Sequence, residues 1–384
     1  MTNNHLTYFK VENFKKFDSL EVKDIGQFNL IVGNNNVGKT CFLEALLFDE
    51  DESQLLNNFY IGLTKRGLKF QIQEVTVKTG NTAKTETIYP KENYFNLFLN
   101  KSTDENLVFR YTSKENKSEI KINVTSENKI LNAVNPVIGL DISMQSEDDK
   151  KIKYLFDTKK ITFDDFKKQF IDINKSNASI SSSWIYGYNL DILNFPLVSF
   201  NDTPLDEESR SMYEILKTKR EKQILIDALK VVHPNIVDIE LRENFEDLKA
   251  VFLISFEDKD EFVPLNFLGD GFKRIFYIVL KALSLKGKRI LIDEFEIGIH
   301  YSKMKDFWIN ILKVCKELDV QLFATTHSEE CTQAFVSASN SLENTDDIRL
   351  IKLEESTNKE KIYASTFTYN QIIAGLDSNV ELRG

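Results

Sequence analysis

The apolar and polar positions of the chain follow two rhythms. Near the N-terminus, Leu6-Thr7-Tyr8-Phe9-Lys10-Val11, Leu20-Glu21-Val22 and the apolar run Phe28 to Val32 predict three strands, parted by the turn residues Asp18-Ser19 and Asp24-Ile25-Gly26. A helix is predicted after the loop that ends at Thr40, and another from Glu52 to Gly62. From residue 68 the pattern changes: Lys69 to Val77 alternates as a half-buried strand does, and further strands are predicted at Leu107 to Tyr111 and Ile120 to Val124. The Asn-, Ser-, Lys- and Asp-rich stretch from Lys129 to Ser183 reads as an insertion, helical around Lys150 to Phe170. Order resumes at Phe195 to Phe200, followed by helices at Asp206 to Lys217 and Glu221 to Val232 and strands at Ile236 to Leu241 and Val251 to Glu257. The last third alternates: helix 271–285, strand 289–292, helix 302–318, strand 321–324, helix 329–337, then strands 348–353 and 362–365 and a short helix near 369–374. Such alternation is the mark of a parallel, doubly wound sheet, whose strands would lie beside the 28–32 strand. The chain therefore divides into 1–67, 68–194 and 195–384.

Composition narrows the class. With 384 residues, 42% hydrophobic and 28% charged, the chain can bury a sizeable core. The 29 phenylalanines recur at strand and helix spacing, as in Phe9, Phe14 and Phe17, and so read as core rather than as a base-stacking surface. The net charge of −10, from 59 acidic and 49 basic residues, argues against a protein that coats DNA, because phosphate neutralisation needs cations. Cys41, Cys315 and Cys331 lack zinc-site spacing and read as free thiols. No apolar run reaches the length of a membrane span and the start has no signal-peptide core, so a cytoplasmic protein without membrane contact is expected.

The chemistry gathers at strand ends. Gly33-Asn34-Asn35-Asn36-Val37-Gly38-Lys39-Thr40 is G-x-x-x-x-G-K-T between an apolar strand and a helix that opens with Cys41. Two glycines permit a turn whose backbone N–H groups point inward at phosphates, with Lys39 reaching the β- and γ-phosphates and the Thr40 hydroxyl ligating Mg²⁺. Arg289-Ile290-Leu291-Ile292-Asp293-Glu294 is a buried strand ending in two carboxylates, placing Asp293 in the metal shell and Glu294 beside the attacking water. Leu322 to Ser328 is a further strand, ending at His327, which would stand by the γ-phosphate. Leu268-Gly269-Asp270-Gly271-Phe272-Lys273-Arg274 opens a long helix and reads either as a second anion site, serving another subunit, or as a turn with Asp270 as N-cap.

This ordered set resembles the ABC-type ATPase heads of the RecF/SMC class, and more closely the OLD-like ATPases grouped with AAA-family ATP-binding proteins of bacterial defence islands. The resemblance identifies Gly33 to Thr40 as Walker A, Leu268 to Phe272 as the signature loop, Ile290 to Glu294 as Walker B, Glu296 to His300 as the D-loop region and His327 as the switch histidine. Val11-Glu12-Asn13-Phe14-Lys15-Lys16-Phe17 is similar to the strand and turn that open such heads, where Lys15 or Lys16 can approach the nucleotide. It implies an α/β fold: a P-loop ABC ATPase head with N-terminal antiparallel strands, a parallel core sheet and an α+β insertion. It further implies ATP and Mg²⁺ as ligands and a homodimer or higher oligomer, in which Gly269, Asp270 and Gly271 of one head meet the ATP of another. The signature loop lacks the usual serine and carries Asp270 for a glycine, which suggests slow, switch-like hydrolysis. No Q-loop is assignable; Gln71 and Gln73 fit better as exposed strand residues. Only about sixty residues follow His327, too few for the Toprim nuclease domain of many OLD-like proteins. The resemblance thus implies a separate effector, a Toprim-type nuclease, and a phage-encoded trigger, as in anti-phage systems of the PARIS kind. Two other readings stay open. One is a RecF-like repair ATPase that clamps DNA, with Lys65-Arg66-Gly67-Leu68-Lys69 and Lys217-Thr218-Lys219-Arg220 as its local support. The other is a scaffold that binds ATP and scarcely turns it over.

Overall fold

The computed structural model describes residues 5–49, 52–66, 73–79, 82–88, 106–113, 117–127, 137–146, 160–161, 192–199, 202, 207–245, 248–342, 345–358 and 361–377. The N-terminal run forms β1 (Leu6–Phe14), β2 (Phe17–Val22) and β3 (Phe28–Gly33), then α1 (Lys39–Ala45) and α2 (Glu52–Lys65). Next come β4 (Gln73–Thr79), β5 (Thr82–Ile88), β6 (Leu107–Ser113), β7 (Lys117–Glu127), β8 (Val137–Ser146), β9 (Lys160–Ile161) and β10 (Leu197–Val198). They are followed by α3 (Glu207–Glu214), α4 (Lys219–Leu229), β11 (Ile236–Phe245), β12 (Leu248–Phe256), β13 (Val263–Pro264) and α5 (Asp270–Ser284). The chain ends with β14 (Arg289–Ile292), α6 (Tyr301–Glu317), β15 (Gln321–Thr325), α7 (Glu329–Ser339), β16 (Ile348–Glu355), β17 (Ile362–Thr368) and α8 (Tyr369–Asp377).

The central sheet has the order β10-β14-β15-β3-β16-β17, parallel except for β17, which pairs antiparallel with β16. Successive side chains of a strand point to opposite faces, so each central strand feeds two cores. Leu30 and Val32 of β3, Ile290 and Ile292 of β14, and Leu322 and Ala324 of β15 enter the core made with α4 to α7. Ile31, Leu291 and Phe323 enter the other, made with α1, α2 and the N-terminal strands. A sheet covered on both faces explains why these strands are apolar throughout.

The second large sheet is antiparallel, in the order β2-β1-β6-β7-β8-β9. Strands from both sides of the expected boundary at 67/68 share it, since β6 pairs with β1. Phenylalanine builds the joint between this sheet and the P-loop helix. Phe9 stacks on Phe48 at 5.3 Å and leans on Phe42 at 6.1 Å, while Phe109 meets Phe14 at 5.9 Å and Phe59 at 5.8 Å. Burying each such ring stabilises the fold by about 1.5–3 kcal/mol, and the expectation that phenylalanines serve the core holds here.

Some local expectations change. Of the expected helix around 150–170, the described part is β9, which pairs antiparallel with β8 and is strand; the rest lies outside the described residues, as does Gln71. Gln73 opens β4. Asp270 is not the N-cap of α5: Gly269 holds that position and Asp270 sits in the first turn. His300, left aside in the sequence, caps α6, its ring nitrogen accepting from Ser302 N. No described helix is long and apolar enough to cross a membrane.

Candidate active site

Neighbouring strands β14, β15 and β3 end side by side, and at their carboxyl ends stand the sequence motifs. The P-loop after β3 needs backbone that side chains resist. Gly33 has φ 144°, and a Cβ there would lie 2.4 Å from the Leu353 carbonyl oxygen of β16; Gly38 has φ 110°. Asn36, at φ 65°, uses the left-handed region that asparagine tolerates. The Lys39 ammonium folds over the loop, donating to the carbonyl oxygens of Gly33 at 2.5 Å and Asn34 at 3.1 Å. Those bonds hold the cation over the loop.

Thr40 lies in the first turn of α1 and Asp293 follows β14, yet the Thr40 hydroxyl lies 3.0 and 3.2 Å from the two Asp293 carboxylate oxygens. A hydroxyl and a carboxylate are the hard oxygen donors that suit Mg²⁺, an ion that keeps several waters and takes few protein ligands. Thr325, the last residue of β15, donates its hydroxyl to Asp293 Oδ1 at 2.7 Å and accepts the Glu294 backbone N–H at 2.9 Å.

Glu294 has φ 50°, a left-handed conformation that costs a residue with a Cβ about 1–3 kcal/mol. The turn lifts its carboxylate to the mouth of the site, 3.8 Å from the His327 ring, with side-chain exposures of 32% and 36%. His327 is fixed through its backbone, whose N–H donates to Glu296 Oε1 at 2.8 Å. A cleft of about 360 Å³ opens between loop and histidine, lined by Val32, Gly33, Asn34, Asn35, Thr326, His327, Ser328 and Thr332.

The remaining predicted residues divide. Lys16 reaches the P-loop and donates to the Asn36 carbonyl and, at 3.1 Å, to its side-chain oxygen. Lys15 instead pairs with Glu44 of α1 at 2.8 Å, and Glu44 also takes the Arg66 guanidinium. Cys41 stands beside this cluster, its thiol pushed up from the ordinary value by burial and by the Glu44 charge. The cleft lining includes Gly33, Asn34, Asn35 and His327, but not Lys39, Thr40, Asp293, Glu294 or the loop of Gly269, Asp270 and Gly271. Gly271 packs on the D-loop region, its Cβ position lying 2.5 Å from the Gly298 carbonyl oxygen; Gly269 faces open space, and the Asp270 side chain is 90% exposed and pairs with Lys273 at 3.1 Å. Sequence reading missed Thr325, Glu296, Glu44 and Arg274, whose guanidinium donates to the Asp293 carbonyl oxygen at 3.0 Å.

Fold and motifs together define a P-loop ATPase domain of the AAA type. The chain belongs to the family described as "AAA domain, putative AbiEii toxin, Type IV TA system", whose model matches residues 28–330. It is similar to a Helicobacter pylori (strain ATCC 700392 / 26695) protein named ATP/GTP phosphatase, with 24% identity over 359 residues, covering 84% of this chain and 85% of that protein. Among solved structures it is similar to an SMC head bound to the C-winged helix domain of ScpA, with a TM-score of 0.49 and 9% identity, covering 96% of this chain and 99% of that one. The SMC head domain from Thermotoga maritima gives a TM-score of 0.40 and 10% identity, covering 94% and 99%.

Proposed function

We propose that the chain binds ATP with Mg²⁺ in the cleft above β3 and β15, hydrolyses it, and uses the bound state to join heads and control a separate toxic effector during phage infection. The observation that carries the nucleotide reading is the meeting of Thr40 with both oxygens of Asp293, from two motifs that lie 253 positions apart. Mg²⁺, when bound, supplies charge neutralisation at the phosphates. Thr40 and Asp293 would hold it. Lys39 would exchange its carbonyl partners for phosphate oxygens, and Glu294 would accept a proton from the attacking water. His327, 3.8 Å from Glu294, would orient the same water or the γ-phosphate oxygen. The signature loop, exposed at Gly269 and Asp270 and packed on Gly298 through Gly271, suits contact with the nucleotide of a second copy. The relative's name, ATP/GTP phosphatase, supports nucleotide hydrolysis.

The DNA-clamping alternative draws less support. Lys65 is taken by Asp202 at 2.7 Å, Arg66 by Glu44 and Arg220 by Glu317 at 2.7 Å, so cations of both basic runs are already neutralised within the chain.

Phosphate release and mass in solution, measured with and without ATP-Mg²⁺, test the proposal on the parent, Lys39→Ala and Glu294→Gln. Slow release by the parent, none by either variant, and a larger species only for Glu294→Gln with ATP are expected. One unchanged mass in all conditions refutes ATP-driven head association. For the defence role, cells carrying the parent and its effector should resist phage, and Lys39→Ala should abolish that protection.

A further inference from the structure

Helix α5 is buried almost all round, from Phe272 through Leu283, and the structure places two charged residues, Arg274 and Lys281, in its buried part. Lys281 meets a carboxylate, Glu208. Arg274 meets two backbone carbonyls instead: Nη1 donates to Ser199 O at 2.5 Å and Nη2 to Asp293 O at 3.0 Å. Burial pushes the guanidinium down from its ordinary value despite the acids nearby, and its Nε has no partner. A buried cation with an unsatisfied N–H serves stability poorly. What it does serve is geometry.

The peptide unit between Asp293 and Glu294 joins the candidate metal ligand to the candidate base. Its carbonyl is held by Arg274 and its N–H by the Thr325 hydroxyl at 2.9 Å, so it is gripped from both sides. The grip falls where Glu294 occupies the left-handed region at φ 50°, a conformation that persists only when the surroundings over-determine it. The other arm of Arg274 ends on Ser199, whose own N–H donates to Asp202 at 2.7 Å, and Asp202 binds Lys65 at the end of α2.

We propose that Arg274 is a positioning residue for hydrolysis: with Thr325 it fixes the Asp293–Glu294 peptide and moors it to the 199–202 segment. This rests on reading Glu294 as the base of an ATPase. The role requires two donors at a fixed spread, which a guanidinium has and an ammonium lacks.

The test uses the full chain as Arg274→Gln, Arg274→Lys, Thr325→Val and Thr325→Ser. Three quantities are read: hydrogen exchange of the peptide covering residues 293–298 without nucleotide, affinity for ATP, and kcat. Arg274→Gln is expected to speed exchange there while leaving the P-loop peptide unchanged, and to lower kcat about 10- to 100-fold with ATP affinity kept; Thr325→Val, which also loses the bond to Asp293 Oδ1, should speed the same exchange and lower kcat, so ATP affinity is read on the Arg274 variants alone. Thr325→Ser, which keeps the hydroxyl, should match the parent, and Arg274→Lys should fall between. If Arg274→Gln fails to fold, the Thr325 pair still tests the same peptide from its other side. Exchange and kcat equal to the parent, or kcat and ATP affinity falling together, overturn the proposal. A parent that binds ATP and releases no phosphate refutes the ATPase reading instead, and exchange at 293–298 then still decides whether the grip exists.

Discussion

Removing Glu208, which faces a lysine fully buried among the described residues, should produce a stability loss that fades with rising pH. The Lys281 side chain is 0% exposed and its ammonium lies 2.6 Å from Glu208 Oε1, whose side chain is 7% exposed. Burial pushes the lysine down from its ordinary value, and the Glu208 charge opposes that. At this separation and an effective dielectric near 20, the attraction is about 6 kcal/mol, which roughly offsets the several kcal/mol needed to desolvate each ion. Glu208→Leu removes that attraction and leaves the desolvation, with the Asp202 charge still favouring the ammonium. The loss is capped by deprotonation of Lys281, which at pH 7 costs about 4.6 kcal/mol for a lysine of ordinary value about 10.4. The expected loss at pH 7 is therefore up to about 3–5 kcal/mol. Its sign with pH follows from proton counting: below pH ~10.4 the unfolded variant binds more of the proton than the folded one, so stability recovers by up to about 1.4 kcal/mol per pH unit on going up from 7. The double variant Glu208→Leu with Lys281→Met should lie within about 1 kcal/mol of the parent. Urea midpoints at pH 7, 8 and 9, each referred to the parent at the same pH, measure all of this. A loss that stays flat with pH, or a double variant as unstable as the single one, refutes the reasoning.

Other consequences can be checked singly. Burial pushes the Cys315 and Cys331 thiols up to about 12, so iodoacetamide at pH 8 should leave both unmodified in the native protein and alkylate both once urea unfolds it, as peptide mass spectrometry would show. Glu221 closes a capping box with Thr218 at the start of α4. Burial acts to raise its carboxyl, but hydrogen bonds from Lys217 and Thr218 outweigh that and hold it below the ordinary value. Glu221→Ala should thus cost about 1 kcal/mol at neutral pH, a difference fully present above the ordinary carboxylate range and lost as pH falls below that range through the lowered folded value; a series of thermal melts from pH 7 downward would follow it. Lys65→Met breaks the 2.7 Å bond to Asp202 outside the cleft, and should lower kcat less than Arg274→Gln does, with ATP affinity kept.

The nucleotide site was legible where its chemistry is local. G-x-x-x-x-G-K-T needs only its own backbone, and the acids after Ile292 stand out against an apolar strand, so Lys39, Thr40, Asp293 and Glu294 could be read without a neighbour. His327 was placed by the strand order, and β15 does lie between β14 and β3. What escaped were the residues whose role exists only across strands. Thr325 is a threonine at a strand end until β14 lies beside it. Lys15 was expected near the nucleotide, and a buried glutamate one helix away, Glu44, holds it instead. For Arg274 a signal existed: it and Lys281 are seven positions apart in an otherwise apolar helix, hence on one face, and that face is core. Two cations at core positions demand partners, and the demand could have been stated before the partners were known.

Those partners explain how distant parts of the chain are joined. Arg274 holds Ser199, Lys281 holds Glu208, and Lys65 of α2 holds Asp202 and stands 4.0 Å from Glu208. The segment where the chain returns from the 68–194 region is thus tied by charge both to the signature helix and to the helix where the chain departs. Two of the three ties are buried or nearly so, where a broken pair costs several kcal/mol. A ligand that displaced this segment without moving Arg274 would have to meet that cost, whereas one that moved both would shift the Asp293–Glu294 peptide. By reciprocity, whatever fixed the Asp293–Glu294 peptide would resist displacement of the 199–202 segment through Arg274.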